Sequence, residues 1–94
     1  MRVLLVEDDP IVVDGVKAAL EGVGFAVDRF ATAEEAEMSL PSDTFALAIV
    51  DLGLPGMNGM ELIRRLRHRG NRVPVMILSA RDNVKDVVEG LGAG

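Results

Sequence analysis

No cysteine, tryptophan or tyrosine occurs in the 94 residues, and the only aromatic side chains are three phenylalanines. Without cysteine there is no disulfide framework, thiol nucleophile or Cys-type zinc site, which is compatible with an intracellular location. With so few rings, the core has to be assembled from Val, Leu, Ile, Ala and Met, a composition that suits packed α/β layers. Long apolar runs are missing too. None approaches the roughly 20 residues needed to cross a bilayer, and Met1-Arg2 leads straight into a short apolar run followed by acids, which is not a signal-peptide layout. The cytoplasm is the expected location. Positive charge is scarce: ten Lys and Arg against fifteen Asp and Glu give a net charge of −5. Such a segment offers no net attraction to nucleic-acid phosphates. A chain of 94 residues has room for one domain.

What is present is an alternation of strands and amphipathic helices, the pattern of βαβ units around a parallel sheet. The first strand is expected over residues 2–7, with Asp9-Pro10 as N-cap and first helical position of the helix that follows. Ile11, Gly15, Val16, Ala19, Leu20 and Val23 form its expected apolar stripe, and Gly22 and Gly24 mark its end. A second strand over residues 26–30 precedes Thr32-Ala33-Glu34-Glu35, a capping-box signal for a helix with Ala33, Ala36 and Leu40 inward. Phe45 to Val50 is the third strand. Asn58 can cap a helix with Leu62, Ile63 and Leu66 inward, which Gly70-Asn71 ends. The fourth strand is expected from Val73 to Leu78, and Asp82 can cap a last helix carrying Val84, Val87, Val88 and Leu91.

The chemistry collects at strand ends. Val3 to Val6 and Phe45 to Val50 are continuous apolar runs, as in strands buried on both faces of a parallel sheet. One releases Glu7-Asp8-Asp9 and the other Asp51, and in an open α/β sheet the carboxyl ends of the strands border the binding crevice. Carboxylates gathered there repel unless they share a cation. With Ser79 delivered by the fourth strand, the site is a hard-oxygen environment that suits Mg²⁺ or Mn²⁺ rather than zinc. Asp51 could then act as a nucleophile that forms an aspartyl phosphate, with the Ser79 hydroxyl and Ala80 amide donating to the phosphoryl oxygens. Other features have plainer readings. Asp9 is a cap, and Arg64, Arg65, Arg67, Arg69 and Arg72 complement a helix dipole on a solvated face. Met57 and Met60 are packing residues rather than ligands. Gly53, Gly56 and Gly59 fit tight backbone near the site rather than a phosphate-cradling loop.

Three motifs in order, Val3-Leu4-Leu5-Val6-Glu7-Asp8-Asp9, Asp51 with Pro55 and Gly59, and Val75-Met76-Ile77-Leu78-Ser79-Ala80, resemble the receiver domain of two-component response regulators. The resemblance covers residues 1–94, and the Glu-Asp-Asp form is most similar to receivers joined to winged-helix DNA-binding domains. It implies an α/β, doubly wound parallel sheet of the flavodoxin-like kind, with strand order 2-1-3-4 and a family fifth strand and fifth helix beyond this chain. It further implies that Asp51 accepts a phosphoryl group from a sensor histidine kinase, with Ser79 as the switch hydroxyl. Asp8, Asp51 and the Gly53 carbonyl would ligate Mg²⁺ (or Mn²⁺), and Glu7 would act through water. Such a domain is a signalling module, an enzyme only toward itself, that controls an output domain, here expected to be transcriptional. The family lysine has no match, because Lys17 and Lys85 both fall on predicted helices, and the aromatic partner of Ser79 has none either. That keeps open a receiver-like binding or dimerisation module that is not phosphorylated. An aspartate-nucleophile phosphohydrolase typically needs a second aspartate where Gly53 stands, and acidic loops disfavour a flavin phosphate. The apolar fourth strand is expected to present an edge for self-association. No membrane contact or direct nucleic-acid binding is expected.

Overall fold

The computed structural model describes residues 1–39 and 45–78. Along the chain it contains β1 (Arg2–Val6), α1 (Pro10–Gly22), β2 (Ala26–Phe30), α2 (Ala33–Ser39), β3 (Leu47–Asp51), α3 (Gly59–His68) and β4 (Val75–Leu78). All strand pairs are parallel and the spatial order is β2-β1-β3-β4. This is the doubly wound α/β arrangement expected from the sequence.

The two-residue side-chain period of the inner strands divides the core into two layers. Leu4 and Val6 of β1, with Ala48 and Val50 of β3, pack against Ala33 and Ala36 of α2 and Leu62 and Leu66 of α3. Val3, Leu5 and Ile49 point to the opposite face and meet Val13, Val16 and Leu20 of α1. The apolar residues Val3 to Val6 and Ala48 to Val50 are wholly buried, which is why both runs are continuous rather than alternating.

Helix boundaries follow local chemistry. Asp9 accepts the Ile11 amide at 2.9 Å with Pro10 at the first helical position. The Thr32 hydroxyl accepts the Glu35 amide at 3.1 Å, and Asn58 accepts the Glu61 amide at 2.9 Å. Each cap satisfies a backbone donor that the first helical turn leaves free. Helices α1 and α3 both end with a left-handed glycine: Gly24 (φ 96°) bonds to Glu21 while Phe25 bonds to Leu20, and Gly70 (φ 81°) bonds to Arg67 while Asn71 bonds to Leu66. This paired bonding closes the last turn and redirects the chain into the next strand.

The apolar stripe of α1 differs from expectation. Ile11 and Val23 are 77% and 71% exposed, and the buried face is Val13, Val16 and Leu20, with Val12 packed at its margin. At about 100° per residue, Ile11 stands roughly 200° around the axis from Val13, on the far side of the helix, and Val23 is already the C-cap. In α2, Ala33 and Ala36 are buried as expected, while Leu40 lies outside the described residues. In α3, Leu62 and Leu66 are buried and Ile63 is half-buried. Met57 packs against the core layer beneath α2 and α3, but Met60 is exposed, so the packing role holds for Met57 alone.

Strand β4 begins at Val75 rather than Val73. Pro74, which has no amide hydrogen to donate, enters the ladder through its carbonyl, which accepts the Ala48 amide at 2.9 Å. The expectations for Ser79, Ala80, Asp82, Val84, Lys85, Val87, Val88 and Leu91 lie outside the described residues.

Candidate functional site

Register brings the acids together. Val6 of β1 is paired with Val50 of β3, so the residues that follow, Glu7 and Asp51, leave adjacent strands side by side and on the same face. Asp51 is itself paired with Leu78, the residue before Ser79. Glu7, Asp8 and Asp51 each offer a carboxylate oxygen, and these oxygens lie within 4.8 Å of one another. Glu7 is 4% and Asp51 8% exposed, whereas Asp8 is open to solvent.

Three carboxylates in so small a space are short of positive charge, and Glu7 registers the shortage. Burial, first, and a hydrogen bond shared with Asp51, second, push its pKa from 4.5 up to about 7, with the charges of Asp51 and Asp8 adding to the rise. The Asp9 amide, which donates to Glu7 Oε1 at 3.2 Å, opposes the shift. When no cation is bound, Glu7 therefore gives up its proton near neutral pH rather than in the ordinary carboxylate range. A hard divalent cation can take the place of that proton, and an all-oxygen donor set with one solvent-facing member fits Mg²⁺ or Mn²⁺.

The loop after β3 is built around Asp51. The Gly53 amide donates to Asp51 Oδ1 at 3.0 Å, which places Gly53 directly beside the carboxylate. Leu54 is buried in the core on the α2 and α3 side and anchors the loop from below. Gly56 turns the chain with φ 74°, a conformation that favours glycine. Gly59 opens α3 against the strand itself: a Cβ there would lie 2.4 Å from the Asp51 carbonyl oxygen and 2.7 Å from Val50 Cγ1. The motif glycine eight residues after Asp51 thus allows the helix to start in contact with the backbone that carries the aspartate.

Of the residues singled out in the sequence, Glu7, Asp8, Asp51 and Gly53 come together, and Ser79 lies outside the described residues. The arginine run on α3 is tied to acids: Arg65 pairs with Glu61 and Glu37, Arg69 with Glu37, and Arg64 with Glu61. Arg65, first, with Arg64 holds Glu61 below the usual carboxylate range. This is the charged surface expected for that run, and Arg65, Arg67 and His68 occupy the last turn, where cations complement the helix dipole. One neighbour of the site was not evident beforehand. Arg29, at the end of β2, donates from Nε to the Glu7 carbonyl at 3.1 Å and from Nη2 to the Asp8 carbonyl at 3.5 Å. Its only sequence signal is a cation at the carboxyl end of a strand.

Among the described residues no helix is long and apolar enough to cross a membrane. The family profile of the response regulator receiver domain matches residues 3–94. The transcriptional regulatory protein QseB of Escherichia coli O157:H7 is 45% identical over the whole chain, which covers 43% of that protein. The response regulator protein PmrA of Pseudomonas aeruginosa is 44% identical, again over the whole chain and 42% of the relative. The chain therefore spans less than half the length of these relatives. Among solved structures, the receiver domain of the Francisella response regulator 1452 superposes with a TM-score of 0.80 at 28% identity, covering 99% of this chain and 77% of that one. The MaeR response regulator bound to beryllium trifluoride gives 0.79 at 30% identity, covering all of this chain and 79% of that one.

Proposed function

The chain belongs to the response regulator receiver domain family, and on that premise we propose that Asp51 is its phosphoacceptor, loaded by a sensor histidine kinase. A receiver is a signalling domain rather than an enzyme with a separate substrate, and receivers of this type work with sensor histidine kinases. The observation that carries the proposal is the grouping of Glu7, Asp8 and Asp51 within 4.8 Å, with Asp51 buried at the end of β3. In the transfer, an Asp51 carboxylate oxygen attacks the phosphorus of a phosphohistidine. The P–O bond forms as the P–N bond breaks, and the imidazole nitrogen keeps the electron pair and takes up a proton. The Gly53 amide, bonded to Oδ1, orients the carboxylate for attack.

Receivers bind Mg²⁺ at an acidic pocket, and the residues present fit that ion. Bound here, it would neutralise the carboxylates and the phosphoryl oxygens. Asp8, Asp51 and the Gly53 carbonyl are the proposed direct ligands, and Glu7 acts through water. Ser79, one residue beyond the register partner of Asp51, is the proposed switch hydroxyl. The output domain is proposed to be transcriptional, as the name of the QseB relative suggests, and to correspond to the portion of that relative that this chain does not cover. Among the described residues β4 is an outer strand, and this position, with the exposure of Ile77, supports self-association through that edge. A concentration-independent monomer mass by light scattering at tens of micromolar would count against that contact.

A second reading, a binding or dimerisation module that is not phosphorylated, draws on the lysines: Lys17 is exposed on α1, and Lys85 lies outside the described residues. Beryllium trifluoride with Mg²⁺ separates the two. The phosphoacceptor reading expects a bound ¹⁹F resonance in wild type that is lost in Asp51→Asn. The module reading expects Mg²⁺ binding with no such resonance.

A further inference from the structure

We propose that Arg29 is a positioning residue for the acidic site, fixing the backbone from which Glu7 and Asp8 project. The proposal rests on the phosphoacceptor reading above only for its functional consequence; its geometry is independent of it. Register pairs Leu5 with Arg29 and Val6 with Phe30, so β2 ends level with the point where β1 turns into the acidic loop. Val27 of β2 packs in the core layer beneath α1, and Arg29, two residues on, leaves the strand on the same side. Its guanidinium therefore lies beside the connection between β1 and α1.

The polar groups of that connection are nearly all accounted for. The Glu7 amide donates to the Phe30 carbonyl at 3.0 Å, continuing the sheet by one bond. The Asp9 amide donates to Glu7 Oε1, and Asp9 Oδ1 accepts the Ile11 amide. The two carbonyls in between, of Glu7 and Asp8, both face Arg29, at 3.1 and 3.5 Å. The first is a well-formed bond and the second a long one. A guanidinium suits this task because its donors are fixed in one plane and can reach two successive carbonyls. A lysine ammonium, a point donor on a flexible stem, would hold one.

The consequence is metrical. Mg²⁺ demands near-ideal octahedral geometry with oxygen at about 2.0–2.1 Å, so small displacements of a ligand-bearing backbone weaken it disproportionately. Asp8 is the solvent-facing member of the acid cluster, and the Arg29 contact to its own carbonyl steadies the peptide that carries it. Groups that orient metal ligands without touching the metal typically contribute 10- to 100-fold in affinity. With one good bond and one long one, the low end, about tenfold, is expected here.

The test is calorimetric titration of Mg²⁺ into wild type, Arg29→Ala, Arg29→Lys and Asp8→Asn, with thermal melts in EDTA and amide NMR spectra alongside. Arg29→Ala should bind Mg²⁺ about tenfold more weakly, with spectral changes concentrated at residues 7–9 and a melt close to wild type. Arg29→Lys should recover part of the affinity, and it decides the matter should Arg29→Ala fail to fold. Wild-type affinity in both Arg29 variants, when Asp8→Asn has lost it, overturns the positioning role and leaves the phosphoacceptor reading intact. Absence of Mg²⁺ binding by wild type overturns both.

Discussion

Gly59→Ala should destabilise the domain and weaken its metal site, although helix propensity alone argues for the reverse. Alanine in a helix is favoured over glycine by roughly 1 kcal/mol. At Gly59 the added Cβ would stand 2.4 Å from the Asp51 carbonyl oxygen, 2.7 Å from Val50 Cγ1 and 3.1 Å from the Asp51 carbonyl carbon. Relief of the closest contact requires a movement of nearly 1 Å, and two of the three atoms are backbone of an inner strand buried on both faces. Neither obstacle can rotate away as a side-chain tip would. Overpacking of this kind costs about 1–3 kcal/mol, so the clash outweighs the propensity gain by up to about 2 kcal/mol. In a domain of this size, each 1 kcal/mol corresponds to roughly 4–8 °C in Tm. Because the strained backbone carries Asp51, Mg²⁺ affinity should fall as well. Gly22→Ala is the matched control, since it lies in α1 with nothing within 4 Å of its added Cβ, and it should be neutral or slightly stabilising. Urea unfolding of both variants in EDTA, with Mg²⁺ titration of each, provides the measurement. Equal stability and equal Mg²⁺ affinity for Gly59→Ala and wild type would refute the packing argument.

Two further perturbations follow from the site. Glu7 has a folded pKa of about 7 against an ordinary 4.5, so the metal-free folded state holds its proton more tightly than the unfolded chain. Its stabilising effect is complete below about pH 4.5 and is lost as pH rises to about 7, a change of at most roughly 3 kcal/mol. Urea midpoints in EDTA should fall across that window for wild type and stay flatter for Glu7→Gln, whereas apparent Mg²⁺ affinity should rise with pH over the same range. A parallel pH profile for the two proteins would remove Glu7 as the cause. Gly56→Ala should cost about 1–2 kcal/mol, because φ 74° is left-handed. The nearby Glu34 carboxylate, 2.8 Å from the added Cβ, is a mobile side-chain end that can move aside; a Gly56→Ala protein as stable as wild type in urea would contradict the φ argument.

Much of this site was legible in the sequence because its ingredients are local. Continuous apolar runs identify the two buried strands, and the acids that follow them need only parallel pairing to converge. Asp9, Thr32 and Asn58 act as caps within a few residues of where they stand, so the helix starts could be read directly. The phase of α1 could not. Ile11 and Val23 are as apolar as Val13 and Leu20, and only the placement of α1 over Val3, Leu5 and Ile49 decides which face turns inward. Arg29 was hidden for a related reason: its partners are 22 and 21 residues away, and they are backbone carbonyls that carry no residue-type signal. The close approach of Gly59 to Asp51 likewise depends on where α3 docks, although the glycine's place in the motif already marked it.

Asp51 is proposed to accept phosphate within a cation-dependent acidic cluster. Incubation with a small-molecule phosphodonor, with Mg²⁺ or with EDTA, followed by intact-mass analysis of wild type and Asp51→Asn, tests it most directly. A phosphoryl adduct on wild type only, and only with Mg²⁺, is the predicted result. No adduct on a wild-type protein that binds Mg²⁺, or an equal adduct on Asp51→Asn, would contradict it.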